Sequence, residues 1–171
     1  AQVAVSDSLA LVDFYNATGG PGWIHRTNWL TAAPVRDWYG VIVENGRVTV
    51  ISLDHNYIRG FIPESFSDLT ALTYINFSNN FIEGLPAHIG KLVNIEEMNF
   101  SENYITDTLP ASIGNCRSLR ILNLNDNGIK LPPSFGDLDN LENLNLNHCG
   151  LTTFPIVITG CKNLEELSIQ H

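Results

Sequence analysis

Leu72-Thr73-Tyr74-Ile75-Asn76-Phe77-Ser78-Asn79-Asn80-Phe81-Ile82 decides the fold. Its apolar residues Leu72, Ile75, Phe77 and Ile82 bracket an asparagine, Asn80. The same spacing stands upstream in Val48, Ile51, Leu53, Asn56 and Ile58. Downstream it returns in Ile95, Met98, Phe100, Asn103 and Ile105, then in Leu119, Leu122, Leu124, Asn127 and Ile129. A fifth copy reads Leu141, Leu144, Leu146, Cys149 and Leu151, and a sixth opens with Leu164, Leu167 and Ile169. The asparagine place recurs after 24, 23, 24 and 22 residues.

Within each copy the middle apolar pair alternates with polar neighbours, which is the pattern of a short strand with one buried face. Stacked copies align these strands into a parallel sheet, about 4.7–4.9 Å apart. The asparagine turns inward and needs backbone partners there, because a buried amide must be hydrogen-bonded. Each copy has a second apolar set on the outer side: Phe66 and Leu69, Ile89 and Leu92, Ile113 and Cys116, Phe135 and Leu138, Ile158 and Cys161. Pro63, Pro86, Pro110, Pro132 and Pro155 precede these sets and favour turns and short helical pieces.

A period of roughly 20–29 residues with this spacing is the signature of a leucine-rich repeat. Residues 48–171 therefore read as five repeats and a partial sixth. The expected fold is an α/β solenoid: a right-handed leucine-rich repeat coil with a concave parallel β-sheet, convex turns, short 3-10 or α pieces and a helical N-terminal cap. The first unit, Asn56-Tyr57-Ile58-Arg59-Gly60-Phe61-Ile62-Pro63, resembles the plant-type repeat N-x-L-x-G-x-I-P. Later units depart from it, with a shorter Gly84-Leu85-Pro86 and Asp107 in the glycine place. A second, convex-side strand is expected only in the early repeats.

Residues 1–47 read as the cap, including the first strand. Ser6 is the expected helix N-cap, with Asp7 in the first turn. Leu9, Leu11, Val12, Phe14 and Tyr15 are the expected apolar face, and Gly19-Gly20-Pro21-Gly22 the stop. All three tryptophans, Trp23, Trp29 and Trp38, follow before the first repeat, as the capping of an exposed core end requires. The segment resembles the N-terminal cap of plant-like repeat proteins in Phe14–Gly20, Thr27-Asn28-Trp29-Leu30 and Trp38-Tyr39-Gly40-Val41. Plant relatives usually carry a cysteine after the last element. Here Ile42-Val43 stands there, as in cysteine-free bacterial and protist members. At the other end the sixth copy stops inside its strand, so either the chain continues or the last strand is a free edge.

Composition narrows the partner. The net charge is −9 with 9 Lys and Arg among 171 residues, so there is no basic stripe for nucleic acid or anionic membrane. No apolar run is long enough to span a bilayer. Nucleophile, phosphate-loop and metalloprotease motifs are missing, and no cofactor is expected. Cys116, Cys149 and Cys161 occupy apolar or ladder places and read as buried free thiols. Asn16, Asn76 and Asn99 head glycosylation sequons, and the last two fall on the concave strands.

The outward positions stack into columns. Ser52, Asn76, Asn99, Asn123, Asn145 and Ser168 form one; Asp54, Ser78, Ser101, Asn125, Asn147 and Gln170 form the next. A third holds His55, Asn79, Glu102, Asp126, His148 and His171. Glu102, Asp126, His148 and His171 make a weak candidate row for zinc or nickel, which a flat arrangement serves poorly. Tyr57, Phe81 and Tyr104 would line one rim of the concave face as a contact patch, with Tyr74 on the second strand of the same half. Glu96, Glu97, Glu142, Glu165 and Glu166 gather at the strand-start edge and favour a basic partner.

The expected function is a non-catalytic recognition module, binding a protein or peptide through the concave sheet and its aromatic rim. Resemblance to the family implies secretion or cell-surface display. A carbohydrate or cell-wall binder is the alternative, with Asn76, Asn99, Asn123, Asn145 and His148 bonding hydroxyls and the aromatics stacking on sugar rings. A spacer or assembly element is a further reading. An enzyme using Glu102, Asp126 and His148 is the weakest, because an open sheet does not exclude water.

Overall fold

The structure, a computed structural model, describes residues 2–170. Helix α1 (Val5–Ala17) is followed by two single-turn 3-10 pieces and then by β1 (Val41–Glu44) and β2 (Arg47–Ser52). From there short strands alternate with 3-10 turns: β3 (Arg59–Phe61), β4 (Tyr74–Asn76), β5 (Phe81–Gly84), β6 (Glu97–Asn99), β7 (Ile121–Asn123), β8 (Asn143–Asn145) and β9 (Glu166–Ser168). The main sheet has the order β1-β2-β4-β6-β7-β8-β9, antiparallel at the β1–β2 hairpin and parallel elsewhere. A second, two-stranded parallel sheet pairs β3 with β5, and an isolated parallel bridge joins Thr108 to Lys130. The chain is a leucine-rich repeat solenoid, with the second strand restricted to the first two units.

Every apolar place of the repeated spacing from Val48 to Leu146 is at most 2% exposed. Burying such a side chain is worth roughly 1.5–3 kcal/mol. The prolines behave as expected: Pro63, Pro110, Pro132 and Pro155 immediately precede 3-10 turns on the outer wall. Their fixed φ and missing N–H suit the first turn of a helix. Asn56, Asn80, Asn103 and Asn127 are buried. Asn80 shows what the ladder does: its Oδ1 accepts from the amides of Asn56 and Ile58, and its Nδ2 donates to the carbonyls of Leu53, Phe77 and Ser78. One side chain thereby ties two units at the corner where both leave the sheet. Asn56 closes the row against the cap, clasping the backbone N–H and carbonyl of His25.

Two expectations for the cap need correction. Ser6 is not the N-cap: Ala4 takes that place with no side-chain capping bond, because its N–H is held by the carbonyl of Gly46 and fixes where the helix starts. Ser6 Oγ donates to Asp7 instead. The inward face is Asp7, Ala10, Leu11, Phe14 and Tyr15, while Leu9 is 59% exposed. Asp7 can face inward because its carboxylate receives Arg47 Nε and Nη2, both at 3.0 Å, and the Val48 amide at 2.9 Å. A buried carboxylate is tolerable only with such partners. Phe14 then packs within 5.1–5.4 Å, centroid to centroid, of Trp23, Phe66 and Phe77, welding cap to repeats.

The three cysteines are buried and free. Burial pushes the Cys116 thiol up to about 12 and Cys161 up to about 11. Cys149 replaces the ladder asparagine, and its thiol donates to the carbonyl of Leu124 at 3.1 Å.

Candidate binding face

The register places the predicted columns as expected. Ser52, Asn76, Asn99, Asn123, Asn145 and Ser168 are successive Cα partners across the sheet. These side chains are not idle. The Oδ1 atoms of Asn76 and Asn99 accept from both the amide and the hydroxyl of the serine two residues on. Those of Asn123 and Asn145 accept from the amides of Asn125 and Asn147. Each asparagine thus pins its own chain exit and keeps its amide nitrogen as the outward donor.

The third column shares one backbone conformation. His55, Asn79, Glu102, Asp126 and His148 all have φ between 51° and 57°, in the left-handed region. Each unit turns out of the sheet at this residue. Asn79 Nδ2 donates to Glu102 at 2.6 Å, and His148 Nδ1 lies 3.3 Å from Asp126. The metal row is not assembled: among the described residues no group of three or more His, Cys, Asp or Glu could hold a metal ion. The neighbouring side chains are committed to each other in pairs, and His171 lies outside the described residues.

Tyr57, Phe81 and Tyr104 form a continuous ladder. Tyr57 meets Phe81 edge-on at 5.6 Å, and Phe81 stacks on Tyr104 at 5.7 Å with 9° between ring planes. The rings remain 50%, 43% and 58% exposed, respectively. Aromatic pairing of this kind is worth about 0.5–1.5 kcal/mol, so the ladder is a preformed surface as well as a shield. Phe81 and Tyr104 form a ridge between two shallow depressions. One, about 430 Å³, is bounded by Asn79, Glu102 and Asp126. The other, about 510 Å³, lies toward the second sheet and is bounded by Arg59, Phe61, Glu83 and Asp107.

Tyr74 does not join the ladder. It opens β4, opposite Val50 and Glu97, whereas Phe81 lies past the end of the same unit's strand. Burial, then the nearby Glu97 and Asp54, raises its phenol above the ordinary range. At the strand-start edge Arg120 forms a two-pronged pair with Glu142 at 2.9 and 2.8 Å, which neutralises part of the acidic row. Hydrogen bonding and charge from Arg120 hold the Glu142 carboxyl below its usual range. Sequence reasoning missed the second-sheet side, where Phe61 is 65% exposed. Its signal was the alternation Tyr57, Arg59, Phe61, running straight on from the ladder.

A stack of short repeats, capped at one end and presenting an exposed sheet, defines a solenoid repeat protein. Residues 48–171 match the family model described as a leucine-rich repeat region, and the chain belongs to that family. A probable inactive receptor kinase of Arabidopsis thaliana is 30% identical over 125 residues, covering 70% of this chain and 18% of the relative. The chain thus spans less than a fifth of that relative's length. The plant peptide hormone receptor RGFR1, solved in complex with RGF2, is 27% identical with a TM-score of 0.65, over 77% of this chain and 25% of the receptor. The leucine-rich repeat ectodomain of the receptor kinase SOBIR1 from Arabidopsis thaliana superposes with a TM-score of 0.76 at 22% identity, over 99% of this chain and 94% of the ectodomain, a likeness of fold.

Proposed function

We propose that this chain is a non-catalytic recognition module that binds a protein or peptide through its concave sheet and aromatic rim, outside the cell. The observation that carries the proposal is the ladder of exposed rings at Tyr57, Phe81 and Tyr104 beside a floor of asparagine amides. Aromatic anchors held rigid before binding lose little entropy on association and are the residues most often found at interface hot spots. The likeness to a receptor solved with a peptide hormone supports the same class of partner. Glu96, Glu97, Glu165 and Glu166 leave the strand-start edge acidic despite Arg120, which favours a basic partner and speeds its approach.

A glycan is the second reading, favoured by the stacked Phe81–Tyr104 pair and the outward amide donors of Asn76, Asn99, Asn123 and Asn145. The discriminating experiment captures partners from the source organism's extracellular fluid, purifies them and measures Kd. The comparison is with a Tyr57→Ala, Phe81→Ala, Tyr104→Ala variant whose fold is checked by circular dichroism. Loss of at least about 30-fold in affinity for a purified protein or peptide supports the reading. Unchanged affinity sinks the rim as the site, and selective retention of an oligosaccharide moves the assignment to glycans.

A further inference from the structure

The depression on the second-sheet side of Phe81 and Tyr104 has its origin in unequal lengths. From the ladder place to the following proline, the units advance by 7, 6, 7, 5 and 6 positions. Parallel neighbours cannot stay in register when one is a residue shorter. The second unit, although the shorter, still pairs with the first, through a bulge at Glu83 that sets Phe61 opposite Gly84. The third unit does not continue that pairing. Tyr104 still donates its N–H to the Ile82 carbonyl, but the third unit then leaves, and its next bridge, Thr108 to Lys130, is to the fourth unit. Between β5 and the departing chain a cleft opens, and a smaller adjoining one shares Phe61, Glu83 and Asp107 with it.

The walls of this cleft have a defined chemistry. An edge of the Phe61 ring abuts the backbone of Gly84: a β-carbon there would fall 2.8 Å from the ring. Phe61, Phe81 and Tyr104 are all more than two-fifths exposed. Arg59 leans back over the glycine turn at the cap, with Nε and Nη2 each 3.1 Å from where β-carbons of Gly19 and Gly22 would stand. At the opposite end, Glu83 and Asp107 form no ion pair among the described residues. The Thr108 amide donates to Asp107 Oδ1 at 2.7 Å, which orients that carboxylate and leaves Oδ2 available.

We propose that this cleft binds a lysine or arginine side chain of a peptide partner, its methylene stem lying on Phe61, Phe81 and Tyr104 and its cationic head between Glu83 and Asp107. This inference rests on the recognition reading above and supplies the chemistry of one anchor. Long basic side chains bury their stems on apolar surface while keeping the charge at a polar edge. Ring faces attract the cation, and a carboxylate strengthens the hydrogen bond. The chain's net charge of −9 adds a long-range attraction for such a partner.

The test is an NMR titration with N-acetyl-lysine methylamide, its arginine counterpart and its norleucine counterpart, which keeps the stem and lacks the charge. Saturable shifts confined to Phe61, Glu83, Tyr104 and Asp107, stronger for the two cations than for norleucine by about tenfold, support the assignment. Glu83→Gln with Asp107→Asn should erase that preference without altering the spectrum elsewhere. Equal shifts with norleucine, shifts elsewhere on the molecule, or none at all overturn it. The same double variant separates this inference from its parent reading. A purified peptide partner that loses affinity with the ladder variant but not with Glu83→Gln, Asp107→Asn leaves the recognition surface standing and removes the basic anchor. A partner indifferent to both variants removes both.

Discussion

The two ends of the coil are built from one pattern and held together differently. At the cap end, Phe14, Trp23, Trp29, Phe66 and Phe77 interlock, the ladder asparagines are buried, and a second sheet backs the first. At the far end, Cys149 stands in the ladder, the second sheet has gone, and Leu164, Leu167 and Ile169 are only half-buried. In a solenoid each unit contacts only its neighbours, so stability is a sum of local terms. The cap end should therefore be the rigid one, and the candidate contact surface is built on it. A preorganised surface gains affinity by avoiding ordering costs.

The strongest way to break this comparison is Phe14→Ala. The ring is fully buried among three others, and its removal should cost about 3–5 kcal/mol. Hydrogen exchange should show protection lost first from α1 through β4, reversing the native order in which the units around β8 and β9 exchange soonest. Retained protection at α1 in that variant would refute the weld. Next in size is Asn80→Ala, which orphans the Asn56 and Ile58 amides and the Leu53 carbonyl, while the Phe77 and Ser78 carbonyls keep Asn103 and His55 as donors; about 3 kcal/mol by urea denaturation is expected.

Cys149→Asn sharpens the comparison from the other side. It offers the Ile129 amide the oxygen acceptor that Asn80 and Asn103 offer Ile58 and Ile82, and should stabilise the far end by about 1 kcal/mol. A drop in melting temperature would show that the pocket is shaped for sulfur. Thiol labelling reads the same gradient: Cys161, 6% exposed at the loose end with its thiol at about 11, should react before Cys116, fully buried and at about 12.

The smallest effect is electrostatic and spans both ends. The Glu64 carboxyl is pushed up by burial, but hydrogen bonds from the His88 ring and from the Ala87 and His88 amides outweigh this and lower it. Glu142 is lowered by Arg120. A carboxyl depressed in the folded state stabilises it above the ordinary value of 4.5 and stops doing so as pH falls through the folded value. Melting temperature should therefore decline below about pH 4.5, and Glu142→Gln should flatten part of that decline.

The repeats were legible because alternation and period are local properties: Ile51, Ile75, Met98, Leu122 and Leu144 announce one buried row by spacing alone. What the spacing could not show was set by distant partners. Asp7 faces inward because Arg47 waits 40 residues away, and Ser6 is passed over because Gly46 holds Ala4. The ladder Tyr57, Phe81, Tyr104 was readable as a column, but the cleft beside it depends on a register lost between units. The left-handed turn at Glu102 was hidden because glutamate ordinarily avoids it, and among the described residues the metal row gives way to the pairings across it.

That turn has a consequence for heat tolerance. Left-handed backbone costs a residue such as Glu102 roughly 1–2 kcal/mol, and His55, Asp126 and His148, of types that visit it more readily, accept it at a smaller cost. Summed over four units, this is a reserve of a few kcal/mol, a sizeable share of the net stability of an ordinary domain. The protein keeps this reserve unspent at the row bordering its contact surface, and a thermostable relative could be made by drawing on it one position at a time.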